Sequence, residues 1–536
     1  MFSIRPIFQF PFFAAASVSS HGNPKIQWGP CNATEVNSTA SIVCGNLNVL
    51  LDYTEPSSNA TLTLQLVRVS AELQPSKGSI LFNFGGPGAT GRGSLGLLGP
   101  ALSAFTGGYY DLIAFDPRVV DNPPKYRGTG NTIPFSCTDN DVDKNNMLNE
   151  LKFGNSSDVA LGRLWTQGAI NSDLCFQKSN ATGSLIGTAF VARDLISVVD
   201  ALDEDGMLRY WGLSYGTTLG ATVASMFPER IDKMILDGVQ NPHQYYHSAA
   251  DFEEWSSSDK GFSGIFSSCV AAPDLCPLAR GKATAAELEQ AVWNLINTVK
   301  FHPTPLGSFM LDYNVLKGII VQSMYGTFYW PLLTTLLDML ITGNTKDALP
   351  VLIELAGGTS VTEESKQVLL GVMGIHCADR TVRVSKFEDF LPVVDQLYKT
   401  SKFFGDVTSA ISMICAQWKM SAKEVYKGDF QAKTKKPVLF IGNTGDGFTP
   451  LVSAYNVSSG FKDSVVLEVN GYGHSSLAVP STCVFNIIST YWLNGTLPKP
   501  GTVCQADRPP FSNTSLAKRD KFEDISDGLR KVFRRT

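Results

Sequence analysis

The stretch Tyr210-Trp211-Gly212-Leu213-Ser214-Tyr215-Gly216-Thr217-Thr218-Leu219-Gly220 sets one serine between two glycines, Gly-x-Ser-x-Gly. A mostly apolar run, Met207 to Trp211, leads in, and a helix-compatible run, Thr217 to Met226, leads out. This is the pattern of a strand that turns sharply into a helix and holds a serine at the tip. Side chains at Gly212 and Gly216 would collide as the chain reverses, and Gly220 would let the departing helix lie close to the sheet. A serine hydroxyl needs a base to take its proton, an acid to orient that base and donors for the oxyanion that forms. Behind an elbow of this kind the chain order is serine, acid, histidine. The sequence has six histidines: His21 lies beside the N-terminal leader, and His243, His247, His302 and His376 fall in a helix-rich middle region or at its edge. His474 alone follows the last core strand, in Asn470-Gly471-Tyr472-Gly473-His474-Ser475, where glycines give a loop able to aim the imidazole. The acid belongs just after the preceding strand, where Gly442-Asn443-Thr444-Gly445-Asp446-Gly447 supplies Asp446. Asp463 is the alternative, but it precedes a strand and would lie at the other end of the sheet. For the oxyanion the candidates are the backbone N–H of Tyr215 and one from the loop Gly85-Gly86-Pro87-Gly88. Pro87 has no N–H, which leaves Gly86 first and Gly88 second.

The elements that must position these residues are legible. Asn46 to Tyr53 and Thr61 to Ala71 alternate like strands, and Ser79 to Phe84 runs straight into the glycine loop. Tyr109 to Phe115 ends in Asp116-Pro117-Arg118; a polar, loop-rich section, Asn122 to Gly183, precedes a helix over Thr188 to Leu202. After the elbow comes a strand over Ile231 to Leu236. From His243 to Gly428 the chain shows helix-compatible stretches, among them Thr284 to Val299, Leu332 to Ile341 and Asp347 to Leu355, with Thr284 and Asp347 as N-cap types. Strands resume at Pro437 to Gly442 and Ser464 to Val469, and a helix over Ser481 to Leu493 closes the core. Strands alternating with helices imply a mostly parallel sheet covered on both faces, with the middle region inserted as a helical lid. The division is thus a leader at 1–20, core at 21–242, lid at 243–430, core again at 431–505 and a charged tail at 506–536.

Net charge is -5 with a pI near 5.8, which argues against nucleic acid or an anionic membrane as main partner. No apolar run reaches the roughly 18 to 20 residues of a membrane span. Arg5, the mostly apolar Ile7 to Val18 and the small residues Ala14 to Ser17 read as a secretory leader. Eight Asn-x-Ser/Thr sequons, at Asn32, Asn37, Asn59, Asn155, Asn180, Asn456, Asn494 and Asn513, fit an extracellular glycoprotein. The ten cysteines fall in adjacent couples. These are Cys31 with Cys44, Cys137 with Cys175, Cys269 with Cys276, Cys377 with Cys415, and Cys483 with Cys504. We take the couples as five structural bridges, although spacing alone does not fix connectivity. None has the spacing of a zinc site, and the chemistry needs no metal or cofactor.

Gly85-Gly86-Pro87-Gly88 after a strand, Phe115-Asp116-Pro117-Arg118, Trp211 to Thr217, Phe227-Pro228-Glu229-Arg230, Leu236-Asp237-Gly238-Val239, Gly445 to Pro450 and Gly471 to His474 together resemble the secreted tripeptidyl aminopeptidase-like branch of the prolyl aminopeptidase family, which belongs to the α/β-hydrolases. The resemblance runs from about residue 46 to 505 and is weakest in the lid; the spaced cysteines and Trp418 share in it. It implies an α/β-hydrolase fold and a serine exopeptidase with Ser214, Asp446 and His474 as its triad. Two features depart from the pattern. Phe84 stands where prolyl-specific members carry histidine, and Val119 to Pro124 replaces the glycine-rich turn that follows Asp-Pro-Arg. An aminopeptidase must also bind a free ammonium, for which Asp251, Glu253 and Glu254 are candidates. A solvated acidic helix face would read the same way. The C-terminal Lys518-Arg519 could be a processing cut. Three functions fit: an extracellular aminopeptidase, an esterase or amidase for a small metabolite, and a binding protein on an inactive hydrolase scaffold. The intact Ser/Asp/His order argues against the third.

Overall fold

The computed structural model describes residues 25–533 apart from 33–35, 37, 39–40, 119–132, 134, 282, 357–362 and 513–520. The leader, Asn37, Asn513, the loop Val119 to Pro124 and Lys518-Arg519 lie outside the described residues.

Ten strands form one sheet in the order β1-β2-β3-β5-β4-β6-β7-β10-β11-β12: β1 Gln27–Pro30, β2 Ile42–Leu50, β3 Thr61–Val69, β4 Ser79–Asn83, β5 Asp111–Phe115, β6 Leu208–Leu213, β7 Ile231–Asp237, β10 Leu439–Gly445, β11 Val465–Tyr472 and β12 Val503–Gln505. β8 (Thr304–Leu306) and β9 (Phe309–Leu311) make a separate hairpin. β1, β2, β3 and β5 pair antiparallel in turn, and every pairing from β5 across to β12 is parallel. β4 and β6 are buried along their whole length, as strands with helices on both faces must be. Alternation divides their side chains. Tyr210 joins the core under the helices Thr188–Leu202 and Tyr215–Met226, while its neighbour Trp211 joins the opposite core with Leu95, Leu98 and Leu102 of the helix Gly91–Phe105 and Ile488 of Thr482–Asn494.

Between the adjacent strands β7 and β10 the chain is mainly helical, with its own apolar core around Phe262, Ile296, Leu316, Leu333 and Leu337. Thr284 caps its helix as expected, in a reciprocal capping box with Glu287. Asp347 instead ends a short 3₁₀ turn that runs into Ala348–Ala356.

Two stretches differ from the reading of the sequence. The section read as loop holds a 20-residue helix, Ala160–Ser179, which buries Leu164, Gly168 and Cys175; these are spaced for one face, but the polar residues between them mask the period. Part of the charged tail is also a helix, Lys521–Phe533, docked on Gly91–Phe105 through the buried side chains Ile525, Leu529 and Val532. The spacing of those three along one face secures the docking despite the surrounding charge.

All five cysteine couples are bonded as the spacing suggests. Cys31 is bonded to Cys44, Cys137 to Cys175, Cys269 to Cys276, Cys377 to Cys415, and Cys483 to Cys504. The bond to Cys44 ties the residue after β1 to β2, and the bond to Cys504 ties the helix Thr482–Asn494 to β12. The bond to Cys276 closes the end of Ser258–Ala271 inside the insertion.

Candidate active site

β6 sits mid-sheet, and Ser214 follows it directly at φ 58°, ψ -128°, ahead of the helix Tyr215–Met226. A non-glycine residue at positive φ is strained and persists only where its surroundings enforce it. Here the enforcement is steric. A Cβ on Gly212 would stand 2.2 Å from the Gly216 carbonyl oxygen, and one on Gly216 would stand 2.5 Å from that of Asn83. The Ser214 N–H donates to the Asp237 carbonyl at 3.2 Å, fixing the turn to β7. Ser214 is half-buried.

The loop after β4 passes over this serine. Gly85, Gly86 and Gly88 have φ of 96°, 104° and 93°, a region that only glycine enters readily. Gly85 lies against Ser214, since a Cβ there would be 2.8 Å from the serine's own Cβ. Gly85 and Gly88 are buried, whereas Gly86 is exposed. Phe84 is half-buried and stacks on Phe82 with centroids 5.9 Å apart.

The structure brings Asp446 and His474 together. Asp446 follows β10 directly, and His474 comes just after β11; the imidazole Nδ1 lies 3.1 and 3.2 Å from the two carboxylate oxygens. Asp446 also accepts hydrogen bonds from the N–H groups of Phe448, Thr449 and Ser475 and from the Thr449 hydroxyl. Burial would raise its carboxyl, but the His474 imidazole and these N–H groups outweigh burial and hold it below its ordinary value. Asp446 is thus an anion at neutral pH. Asp463 lies in the turn that leads into β11, at the opposite end of that strand from His474, as its position before a strand suggests.

Two residues that sequence reasoning does not assign support this pair. Asp237, the last residue of β7, accepts the Ser476 N–H at 2.7 Å and its hydroxyl at 2.6 Å, tying down the loop that carries His474. Tyr325, from the helical insertion, accepts the His474 N–H on its carbonyl at 3.0 Å. Its ring meets the imidazole edge-on at 5.4 Å, and Phe448 does the same at 5.3 Å. Asp237 is visible in the sequence only as part of a motif; Tyr325 has no local signal.

Burial pushes the Asp237 carboxyl up to about 6. Between its ordinary value of 3.8 and about 6 the folded protein holds a proton that the unfolded chain has shed. The stability this group contributes is full below the lower value and is lost as pH rises through the upper one. We therefore expect the urea midpoint of the wild type, measured relative to Asp237→Asn, to fall from pH 4 to pH 7. A flat or rising difference would contradict the assignment.

The three acidic candidates for amine binding have separate fates. Glu253 accepts hydrogen bonds from Asn241, Ser453 and Asn456, which commit it to structure. Asp251 is buried, and its Oδ2 pairs with Arg380 at 2.5 Å, while its Oδ1 accepts no hydrogen bond from any described residue. Glu254 is half-buried and accepts from the Gln240 side chain at 3.1 Å. Burial first, then the nearby Asp251 and more weakly Asp446, push its carboxyl well above the ordinary value. Among the described residues no cluster of His, Cys, Asp and Glu is arranged to hold a metal, and no helix is long and apolar enough to cross a membrane.

A mostly parallel sheet, a strained serine at the carboxyl end of its central strand and an acid–histidine pair after two later strands define the α/β-hydrolase fold. The family model described as alpha/beta hydrolase fold matches residues 79–274, and that described as TAP-like protein matches residues 401–504. Serine protease Hip1 of Mycobacterium tuberculosis (strain H37Rv) is 25% identical over 90% of this chain and 91% of its own. Tripeptidyl aminopeptidase of Streptomyces lividans is 24% identical over 93% and 90%, and Carboxylesterase B of Mycobacterium tuberculosis (strain CDC 1551) is 25% identical over 90% and 90%. These similarities bear out the resemblance read from the motifs.

Proposed function

We propose that this α/β-hydrolase is a secreted serine aminopeptidase that removes single residues or short peptides from peptide N-termini through an acyl-enzyme. The observations that carry the reading are the hydrogen-bonded pair of His474 and Asp446 and the strained backbone of the half-buried Ser214. Ser214 Oγ attacks the scissile carbonyl while His474 takes its proton. Asp446 keeps the imidazole in the tautomer that carries the proton on Nδ1, and the N–H groups of Tyr215 and Gly86 receive the oxyanion. His474 then hands the proton to the leaving amine, and water releases the acyl group by the same steps in reverse order of partners.

The exopeptidase part of the reading rests on Glu254 and on Asp251 Oδ1, which has no partner among the described residues; a free α-ammonium would satisfy these two neighbouring carboxyls. An uncharged ester substrate would leave Asp251 Oδ1 without a donor among the described residues, at a cost. The names of two of the relatives, a serine protease and a tripeptidyl aminopeptidase, point the same way. The helical insertion, acting as a lid over the site, supplies both Tyr325 and these carboxyls. Secretion is supported by the leader, by the five bridges and by the exposure of all six sequon asparagines among the described residues, Asn32, Asn59, Asn155, Asn180, Asn456 and Asn494.

The test is a panel of free-amine tripeptide and single-residue amides, their N-acetylated forms and short-chain esters, run on the purified chain. Cleavage confined to free-amine peptides is the expected result. Turnover of esters alone would replace the aminopeptidase with the esterase reading that the name of the third relative suggests.

A further inference from the structure

We infer that Asp379, the last residue of the insertion helix Glu363–Asp379, is a positioning residue for the oxyanion hole, acting through Thr188 on Tyr215. The inference rests on the proposed roles of Ser214 and of the Tyr215 N–H.

Tyr215 is the residue after the nucleophile, so any rotation of its backbone moves the N–H that would receive the oxyanion. Its side chain is buried, and the phenol oxygen lies 2.6 Å from the Thr188 hydroxyl. The Thr188 hydroxyl lies 2.6 Å from Asp379 Oδ2, the Thr188 N–H donates to Oδ1 at 3.0 Å, and the Tyr245 hydroxyl donates to Oδ2 at 3.1 Å. Burial pushes the Asp379 carboxyl up to about 7, and in its ionised form it only accepts, so Thr188 donates to it. Thr188 must then accept from Tyr215, and every hydroxyl in the chain has a defined direction. The link joins residues 191 apart in sequence.

Asp379 also stands in for a cap. The helix Thr188–Leu202 starts after Gly187, which has no side chain to offer, and the carboxylate of Asp379 takes up the first N–H instead. Gly187 allows this approach, since a Cβ there would lie 2.8 Å from Asp379 Oδ1.

The same insertion helix reaches the glycine loop that carries Gly86. Gly371 packs on Gly88 so closely that a Cβ on Gly371 would lie 2.8 Å from the Gly88 Cα. One helix thus sets both the glycine loop and Tyr215, and the disulfide Cys377–Cys415 fixes it two residues before Asp379. A phenylalanine at 215 would fill the same space.

The experiment compares wild type, Tyr215→Phe, Asp379→Asn, their double mutant, Thr188→Val and Thr188→Ser on a free-amine tripeptide amide, with thermal midpoints and labelling by a fluorophosphonate probe. Loss of a whole oxyanion donor typically costs ~10²–10³ in rate, so a misaligned donor is expected to cost about 10-fold in kcat. Tyr215→Phe should show that loss with KM and thermal midpoint unchanged, and the double mutant should be no slower than the slower single mutant. Thr188→Ser, which keeps the hydroxyl, should recover most of the rate lost in Thr188→Val. Full kcat in Tyr215→Phe, or losses that multiply in the double mutant, would overturn the inference while leaving the serine hydrolase reading intact. A wild-type chain that neither labels nor turns over would overturn both.

Discussion

Replacing Ser214 with alanine is expected to lower kcat on a free-amine tripeptide amide by about 10⁴-fold or more, with a fold indistinguishable from wild type. The side chain is small and half-buried, so its hydroxyl contributes little to packing, and the strained backbone is enforced by neighbours rather than by the serine. His474→Ala should cost nearly as much, and the double mutant no more than either alone, because the two act as one unit. Steady-state rates with a matched urea titration separate chemistry from folding. A Ser214→Ala protein that retains more than about 1% of wild-type kcat would remove Ser214 from the mechanism, since losses of the triad serine run to several orders of magnitude.

The second large effect concerns Glu254. An enclosed carboxylate paired with an ammonium is worth much more than a surface ion pair, and removing one partner of such a pair costs about 2–5 kcal/mol. Glu254→Gln keeps the shape and the contact with Gln240 but cannot ionise, whereas the Glu254 carboxyl, held above its ordinary value by burial and Asp251, gives up its proton when an ammonium docks beside it. We expect kcat/KM for free-amine substrates to fall by about 10²-fold or more, while the low rate on N-acetylated substrates stays where it is. Asp251→Asn is a poorer probe, because it strips the buried Arg380 of its partner. Equal losses on free and acetylated substrates would show that Glu254 supports the fold and does not read the amine.

What is legible in the sequence is local. Gly212, Ser214 and Gly216 specify a turn within five residues, and the order of strands, acid and histidine follows from the elements around them. The cysteine couples are readable because each partner is the next cysteine along the chain. The supports are hidden for the opposite reason. Asp237 holds Ser476 across 239 residues, Tyr325 reaches His474 from inside the insertion, and Asp379 meets Thr188 only once two helix ends converge. Such contacts depend on tertiary packing, and no pattern of period or spacing announces them. The helices Ala160–Ser179 and Lys521–Phe533 escape notice because polar and charged residues outnumber the apolar ones that dock them.

The bridges have a consequence for how the chain is made. Their spans are 13, 38, 7, 38 and 21 residues, and no bridge encloses or crosses another. At ribosomal speeds of about 5–20 residues per second, the second cysteine of each of the longer couples follows the first within roughly two to eight seconds, and sooner in the shorter ones. In an oxidising compartment, once each earlier couple has closed, the free thiol that a newly made cysteine meets is its native partner. Maturation should depend on an oxidase to form the bonds and scarcely at all on an isomerase to correct them.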